Sequence, residues 1–465
     1  MKRGSVVGPL LLIAIGGLFL ANNIRPDISV MDIIARFWPF VLIAWGGLRL
    51  IELLFLASAG KPLPTSGISG GEWALVIFVT LIGSGVYVVN KNVGWWSPMH
   101  IRVKGMEVFG EPFDFPLEEK TVAAPRAVRV VIEHGRGNVR VVGAEVEQVK
   151  VTGRKTIRAM KRQDADQANR DTPVQLSMKA GAVIVRTNQD RSHGERFIST
   201  DLEIEVPKGA VVEAHGQYGD FDVSDIEGSV EVDSDNAGVR VQNIGGNVTV
   251  DLRRSDIIRA IDIKGNVELR GRGGDVELEN ITGHVAVAGN YSGEMQFRNV
   301  TKMLRVEDQG RGNSDIRVES TPGQLRIGRG HVTGENLIGP LIINAKSKDV
   351  QLSEFTQSAN VSVDRGDVEL RPGRLPLPKI DVNTRSGRID LALPEGAKFA
   401  LKGTAERGEI TNDFGQPLEV VEEGRRSTIS GTTGSGPEVS LSAERGSVTV
   451  RKGSVIAATE AATRI

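Results

Sequence analysis

The stretch GDVELENITGHVAVAG, from Gly274 to Gly289, alternates apolar and polar residues on both sides of a glycine. Val276 and Leu278 lie two residues apart, as do Val285 and Val287. Side chains two residues apart on a β-strand lie on the same face, so each pair can be buried together. The stretch therefore predicts two short strands, each with one buried face.

A corner separates the two predicted strands. It contains Asn280, Ile281 and Gly283, and Asn and Gly both tolerate the backbone angles that bend a strand. The unit of strand, corner and strand recurs along the chain, and we use the term anchor for the residue at the position of Ile281. Successive anchors lie 16 to 21 residues apart, with a mean near 18. The anchors are Ile226, Ile244, Ile263, Ile281, Val300, Thr321, Leu337 and Phe355.

A fixed period this short is typical of a solenoid, in which one turn cannot bury its own apolar side chains but stacked turns share a core. The strands are too short and too evenly spaced to favour a sandwich. We therefore predict an all-β, single-stranded, β-helix-like solenoid with about 18 residues per turn. Eight turns spaced by roughly 4.8 Å would form a rod of roughly 40 Å. The pattern leaves the number of faces per turn open.

The residue before each anchor is nearly always Asn, Asp or Ser, which predicts the same corner in every turn. Stacked side chains of this kind would form a ladder of hydrogen bonds along the rod. The ladder is expected either to build the corner or to serve as a strip that binds a ligand. The residues concerned are Asp225, Asn243, Asp262, Asn280, Asn299, Ser320, Asn336 and Glu354.

The composition of the 465 residues narrows the function. A formal net charge of −1 gives no sign of a nucleic-acid partner. The absence of cysteine excludes disulfides, cysteine nucleophiles and thiolate metal sites. The 55 glycines and the low aromatic content of 5% suit a thin coil with many corners.

Three apolar runs near the N-terminus, Val6–Asn22, Phe37–Leu56 and Trp73–Val89, are long enough to span a bilayer as helices. The first two are related, because Pro9–Leu20 and Pro39–Leu50 share eight of twelve residues. The paired glycines of both copies would let membrane helices approach closely. We predict a multi-pass protein of the cytoplasmic membrane with an extracytoplasmic solenoid.

Two alternatives concern these runs. Lys2, Arg3 and the first run could form a cleaved signal peptide, although its copy in the second run favours a membrane unit. Arg49 and Glu52 could mark an ion pathway, although a local pair near a helix end explains them more simply.

The patterns divide the chain into six segments. They are a transmembrane helical module at 1–90, a juxtamembrane link at 91–124, an irregular β start of the solenoid at 125–212, regular repeats at 213–371, C-terminal β segments and a cap at 372–452, and a tail at 453–465.

Motifs that carry chemistry are weak in this sequence. No two of the six histidines have metal-ligand spacing, and neither HExxH nor GxSxG occurs. Asp233–Gly238 resembles the start of a calcium loop but lacks its closing glutamate. Arg365–Asp367 matches the RGD attachment tripeptide but falls at a repeat corner. We predict no catalytic, cofactor-binding or metal-binding residues.

Outward carboxylates leave one enzymatic alternative open, since solenoid enzymes that cleave polysaccharides use paired carboxylates. The candidates are Glu231, Asp233, Glu268, Glu277 and Glu279.

The repeated units, the lead-in IEVPKGAVVEA (Ile204–Ala214) and the closing segments GRIDLALP (Gly387–Pro394) and GSVTV (Gly446–Val450) resemble the bacterial putative-adhesin domain family, also called the toast-rack domain. This resemblance covers roughly residues 125–452. Residues 5–90 resemble the transmembrane region of LiaI/LiaF-like proteins. LiaF-like proteins usually have four spans, whereas three are predicted here.

These resemblances imply a membrane-anchored β-solenoid linked to sensing of envelope stress or to surface interaction, without a catalytic motif. We therefore expect a non-enzymatic scaffold or sensor with membrane lipid and membrane or envelope proteins as partners. A surface adhesin for glycans or host surfaces is the alternative, followed by a polysaccharide-active enzyme. Homo-oligomerisation is a further expectation that the sequence leaves open.

Overall fold

The computed structural model describes residues 102–103, 106–107, 110–191, 197–310 and 313–454. The three predicted membrane spans lie outside these residues and stay predictions. Within the described residues, no helix combines the length and apolarity that crossing a bilayer requires. The chain forms two compact units, Met1–Phe109 and Gly110–Ile465. The described part of the first unit is a short antiparallel pair, β1 (Arg102–Val103) and β2 (Met106–Glu107).

The second unit consists of two long β-sheets, each with seventeen strands in the described residues. Sheet one contains β3 (Glu111–Pro116), β4 (Lys120–Ala123), β6 (Val139–Ala144), β7 (Gln148–Ala159), β10 (Phe197–Pro207), β12 (Phe221–Ile226), β14 (Val239–Ile244), β16 (Ile257–Ile263), β18 (Asp275–Ile281), β20 (Met295–Val300), β23 (Thr321–Ile327), β24 (His331–Ile338), β26 (Asp349–Thr356), β28 (Val368–Arg371), β30 (Ile389–Pro394), β32 (Ile410–Asp413) and β36 (Val448–Gly453).

Sheet two contains β5 (Arg129–Glu133), β8 (Gln175–Lys179), β9 (Ala182–Arg186), β11 (Val211–Tyr218), β13 (Val230–Asn236), β15 (Val248–Leu252), β17 (Val267–Gly273), β19 (Val285–Tyr291), β21 (Leu304–Asp308), β22 (Ser314–Val318), β25 (Leu341–Ser347), β27 (Ser358–Arg365), β29 (Lys379–Ser386), β31 (Ala400–Ala405), β33 (Glu419–Glu423), β34 (Arg426–Thr432) and β35 (Glu438–Arg445).

Successive strands from β12 to β21 alternate between the two sheets, so each turn of the coil has two faces. Each strand pairs in parallel with the strand one turn later, and Val239 lies between Phe221 and Ile258 in sheet one. These partners are 18 and 19 residues away, which confirms the predicted period of the β-solenoid. We call one strand from each sheet a rung. With strands about 4.8 Å apart, the stacked rungs extend over about 75 Å.

The core lies between the two sheets and runs through the whole second unit as one cluster of buried side chains. Val276 and Leu278 of β18 point into it, as do Val285 and Val287 of β19. All four side chains are at most 2% exposed, and burying each contributes about 1.5–3 kcal/mol relative to exposure. The alternation that predicts these strands thus comes from one inward and one outward face.

One rung in the middle of the coil runs backwards. β22 is antiparallel to β21 and β25 in sheet two, and β23 is antiparallel to β20 and β24 in sheet one. The predicted repeat on Thr321 is therefore wrong as a parallel copy. Thr321 lies beside the anchor Val300, but the chain passes this corner from sheet two to sheet one. The irregular anchor spacing on either side of Thr321 results from this reversal.

The N-terminal rungs have a more complex strand order. β7 is antiparallel to β10, and its outer edge is covered by β3 and β4, which fall in the predicted link at 91–124. On its other side β10 pairs in parallel with β6, which also pairs with β12 and so leads into the regular coil. A helix, α1 (Arg162–Asp171), lies on β7 and β3 through Ala165 and Ala168.

Lys155 holds the C-terminal end of α1 against the sheet. Its side chain is 1% exposed, and its Nζ donates to the carbonyl and the hydroxyl of Thr172 and to Oδ1 of Asn169. Burial lowers the pKa of Lys155 to about 8. Because the partners are neutral oxygens without a carboxylate, the ammonium is buried at a cost that the hydrogen bonds only partly offset.

The C-terminal rungs close the core. Phe399 packs edge-to-face on Phe414, with ring centroids 5.5 Å apart, and both are buried. β33 forms the outer edge of sheet two, and it presents Glu419, Glu422 and Glu423 to solvent. Charged residues on such an edge discourage pairing with further strands.

Candidate binding surface

The residues before the anchors adopt a left-handed backbone. Asp225, Asn243 and Asn280 have φ angles of 61°, 55° and 57°, a region that Asn and Asp tolerate better than other side chains. The same holds for Asp262, Asn299, Asn336 and Glu354, whereas Ser320 in the reversed rung is not among them.

The predicted ladder of side chains at this corner is present. Asn299 donates through Nδ2 to Oδ1 of Asn280 at 2.9 Å, and Asn280 donates to Oδ1 of Asp262 at 2.9 Å. Asn243 donates in the same way to Asp225 at 2.7 Å. These amides and carboxylates use their hydrogen-bonding groups along the coil, which favours the interpretation as a corner over that as a ligand strip.

Arg374 closes the ladder towards the C-terminus. It comes from the segment 372–378, which separates β28 from β29 as a longer corner while the coil continues on both sides. Its Nη2 donates to Oδ1 of Asn336 at 3.0 Å and to Oε2 of Glu354 at 3.1 Å. The ladder residues in this part of the coil are therefore also engaged.

The RGD tripeptide belongs to another corner ladder. Asp367 accepts from the backbone N–H of Arg388 at 2.8 Å, and its own N–H donates to Asp349 at 2.8 Å. A Cβ on Gly366 would lie 2.2 Å from the carbonyl oxygen of Lys348. The three residues thus have a structural explanation, because the carboxylate that an attachment motif would present is used within the fold.

The outward carboxylates do not form a catalytic pair. Glu231, Asp233 and Glu268 lie on sheet two, whereas Glu277 and Glu279 lie on sheet one. Within the described residues, three of them have arginine partners. Glu277 accepts from Arg259 at 2.7 Å, Glu279 lies 3.7 Å from Arg298, and Glu268 pairs with Arg270.

The described histidines and carboxylates do not form a catalytic or metal-binding site. His284 uses its backbone N–H in a corner ladder with Oδ1 of Asn266 at 2.9 Å. Buried His134 has its Nε2 2.9 Å from the carbonyl oxygen of Gly137, and burial lowers its pKa. No group of three His, Asp or Glu residues with metal-binding geometry is found in the part of the chain that the structure describes. In the segment 233–238, which resembles the start of a calcium loop, Asp233 lies 3.9 Å from His215 and Asp235 lies 3.2 Å from Arg253.

A buried ion pair lies next to the reversed rung. Nζ of Lys348 lies 3.9 Å from Oδ2 of Asp308, and both side chains are at most 4% exposed. Lys348 also donates to the carbonyl of Gly328, and Asp308 accepts from the N–H of Gly310 at 3.0 Å. Burial lowers the pKa of Lys348, and the charge of Asp308 opposes this shift. The pair joins the rungs on the two sides of the reversal.

A shallow depression lies on the outer face of sheet one, where β7, β10, β6 and β12 lie side by side. We call this depression the groove. Its larger part has a volume of about 700 Å³, and a second part of about 420 Å³ adjoins it. Arg140, Thr152 and Glu203 line both parts. Gly153 lies in its floor, where a Cβ would be 2.0 Å from the carbonyl oxygen of Asp201, so β7 and β10 approach closely.

The charges of the groove are not paired with one another. Glu203, Arg140 and Asp222 occupy neighbouring positions on β10, β6 and β12. Their side chains, and that of Arg154, form no hydrogen bond or ion pair with any other described residue. The sequence analysis missed this surface because 125–212 lacks the regular repeat, and because β6 and β10 lie far apart in the chain.

An aromatic cluster lies at the end of the same strands. The guanidinium of Arg136 is stacked between Phe197 and Tyr218, 4.8 Å and 4.4 Å from their centroids. Arg158 approaches Phe197 as well, at 5.8 Å. Phe197 and the groove residue Glu203 belong to the same outward row of β10. The surface therefore combines charged, polar and aromatic groups.

A match to a family model supports the fold that the residues indicate. The model of the family Toastrack DUF4097 matches residues 128–451. Among solved structures, a putative cell adhesion protein from Clostridium sporogenes is 10% identical, with 73% of this chain and 100% of that chain covered and a TM-score of 0.16. A putative adhesin from Bacteroides fragilis is 9% identical, with coverages of 72% and 96% and a TM-score of 0.20. No curated protein matches the chain by sequence.

The assignment rests on the family match, which confirms the predicted toast-rack resemblance. Toast-rack domains are not known enzymes. The match does not extend to residues 5–90, so the resemblance to LiaI/LiaF-like proteins stays a prediction. Since residues 128–451 make up more than half of the sequence, this chain belongs to the Toastrack DUF4097 family.

Proposed function

We propose that this protein is a non-enzymatic, membrane-anchored scaffold or sensor of the bacterial cell envelope. The observation that carries the proposal is the continuous core of the coil, which holds together about 75 Å of stacked strands. Such a coil is suited to presenting a long, repetitive surface to an envelope component.

Catalysis is not part of the proposal because the outward carboxylates serve other contacts. Glu277 and Arg259 are paired at 2.7 Å, and Asp390 and Arg451 are paired at 2.8 Å. A glycosidase would instead need two carboxylates that face one substrate, one of them held protonated by its surroundings.

The anchor in this proposal is the N-terminal module with its predicted helices. The repeated glycine pairs, Gly16-Gly17 and Gly46-Gly47, would form close contacts with helices of partner membrane proteins. Binding of an envelope component to the coil would change helix packing, and the change would reach the partner. The partners we propose are the lipid bilayer and membrane or envelope proteins.

Two experiments test this proposal in cells. A C-terminal tag is exposed to protease in spheroplasts, and we expect digestion without lysis because the coil is extracytoplasmic. Crosslinking of intact membranes followed by purification should recover a membrane or regulatory protein. A variant with Gly46→Leu and Gly47→Leu should lose that partner but keep the tag accessible. Protection of the tag until lysis, or purification of the protein alone, would contradict the proposal.

Surface adhesion is the second candidate, and the groove favours it because the depression is open and polar. An adhesin would bind glycans or host surfaces directly. A deletion strain with unchanged attachment and biofilm formation would exclude this candidate.

A further inference from the structure

We infer that the groove on β7, β10, β6 and β12 binds a neutral polysaccharide strand. The inference rests on the proposed function, because only a coil outside the cytoplasm meets envelope glycans, and it names the ligand class for one surface of that coil.

The first argument is the balance of charges in the groove. Three cationic side chains, Arg140, Lys150 and Arg154, face five carboxylates, and Lys150 is already paired with Glu119 at 2.9 Å, so the local charge is negative. A polyanion would be repelled by this excess of carboxylates. Arg140 lies between Glu203 and Asp222 and interrupts the row of negative charge that a polycation would follow. The carboxylates are Asp201, Glu203, Glu205, Asp220 and Asp222. A neutral ligand avoids both conflicts.

The second argument is the alternation of donors and acceptors. Glu203, Arg140 and Asp222 follow one another across three neighbouring strands, which are about 4.8 Å apart. A guanidinium only donates and a carboxylate only accepts, whereas each sugar hydroxyl does both. Neighbouring hydroxyls of one sugar ring can therefore bind Arg140 and a flanking carboxylate together.

The third argument is that four charged side chains of the groove have no ion-pair partner among the described residues. Farther along the same row, beyond Arg240, the oppositely charged Arg259 and Glu277 are paired at 2.7 Å. Arg140, Arg154, Glu203 and Asp222 have no such partner among the described residues. A ligand that hydrogen-bonds to them does not have to break ion pairs first, so less of the binding energy is lost.

The fourth argument is the placement of apolar groups. Within the groove, the main apolar contributions from the outward row of β6 are Val142 and Ala144, which offer no deep pocket for an apolar peptide side chain or a lipid chain. Tyr218, two residues before the groove residue Asp220, is 43% exposed although Arg136 covers one face of its ring. An aromatic ring presents a flat apolar face, which matches the C–H face of a sugar ring.

The test uses the full chain in lipid nanodiscs, since sugar-based detergents would compete for the groove. Chitohexaose and cellohexaose serve as neutral probes, polygalacturonate as the polyanion and a lysine nonapeptide as the polycation. Isothermal titration should detect a neutral hexasaccharide, and the variants Arg140→Gln and Glu203→Gln should each weaken binding at least tenfold. Arg240→Gln is the matched control, because Arg240 lies in the same outward row as Arg140, next to Asp222, but outside the groove.

Three results would overturn the inference. They are the absence of heat with both neutral hexasaccharides, preferential binding of the polyanion or the peptide, and equal loss of binding in Arg240→Gln. The crosslinking experiment with Glu203→Gln separates this inference from the proposed function. If Glu203→Gln still recovers the membrane partner while neither the wild type nor the variant binds a glycan, the scaffold function is supported and the glycan site is excluded.

Discussion

Asn299 donates a hydrogen bond to Asn280 across one complete turn of the coil, 19 residues away and 2.9 Å between the two side chains. Both residues have left-handed backbones, with φ angles of 50° and 57°. The same side chain therefore permits the corner and connects it to the next rung. Each ladder position combines a local conformational requirement with a contact between turns.

Substitution of Asn280 tests both roles. Asn280→Ala should lower the free energy of unfolding by about 2 kcal/mol, because it loses hydrogen bonds to Asp262 and Asn299 and leaves alanine with a positive φ. Asn280→Gly removes the same hydrogen bonds but relieves the backbone, so it should cost less. Urea unfolding followed by circular dichroism measures both, and an alanine variant as stable as the wild type would contradict the explanation.

Stacked glycines make a separate prediction. A Cβ on Gly283 would lie 2.2 Å from the carbonyl oxygen of Gly265, one turn away. Gly283→Ala should therefore push two rungs apart and destabilise the coil by about 2 kcal/mol or more. Gly330→Ala is the control, because a Cβ on Gly330 would have nothing within 4 Å. Equal melting temperatures of the two variants would show that the rungs are not packed as tightly as described.

Two buried threonines should respond in opposite directions to valine. The hydroxyl of Thr321 in the reversed rung is buried without a hydrogen-bond partner, so Thr321→Val should raise stability by about 1 kcal/mol. The hydroxyl of Thr172 donates to the carbonyl of Ala168 at 2.8 Å and contacts Lys155, so Thr172→Val should lower it. Thermal unfolding of both variants checks the sign. A loss of stability in Thr321→Val would point to a partner for its hydroxyl in solution.

Lys155 should make stability depend on alkaline pH. Its pKa is about 8 in the folded protein and about 10.4 in an unfolded chain. Below pH 8 the ammonium is charged in both states, and the cost of burying it is fully present. Between pH 8 and about 10.4 the unfolded state keeps a proton that the folded state has lost, so the free energy of unfolding rises with pH, by at most about 1.4 kcal/mol per unit.

Urea titrations at pH 7.5, 9 and 10 measure this slope, and Lys155→Met should reduce it. Lys348 remains in both proteins and contributes in the same direction, since its pKa is also lowered. The difference between the two slopes therefore belongs to Lys155. If the slopes agree, the pKa of Lys155 in the folded protein is close to that of the unfolded chain.

The sequence predicts the regular part of the coil well because one requirement repeats there in every turn. Val276 and Val285 belong to the alternating pattern that predicts the inward face, and both are buried. Asn280 predicts the corner, and its backbone is left-handed. The number of faces per turn could not be predicted from the sequence, since apolar and polar residues alternate in the same way on the strands of a two-sided and a three-sided coil. Thr321 resembles a regular anchor in the sequence because a buried residue is needed at that corner in either chain direction.

The groove was harder to predict for a different physical reason. Arg140 and Glu203 become neighbours only because β10 inserts between β6 and β7 after an excursion of more than fifty residues. Nothing local to either strand encodes that contact. Outward charges are also expected on any solenoid, so their lack of partners is visible only in three dimensions.

The reversed rung shows that changes of chain direction in the coil occur in pairs. The chain turns back once in sheet two, between β21 and β22, and once in sheet one, between β23 and β24, and the two inversions cancel. Every later strand except β34, which is antiparallel to β31 and β33, therefore keeps the polarity of the earlier strands β12 to β21. A single inversion would reverse the order in which all downstream corners are read and place their Asn residues on the wrong side of each anchor. Descendants of this sequence can thus lengthen or shorten the coil by whole turns or by paired inversions, but not by one hairpin alone.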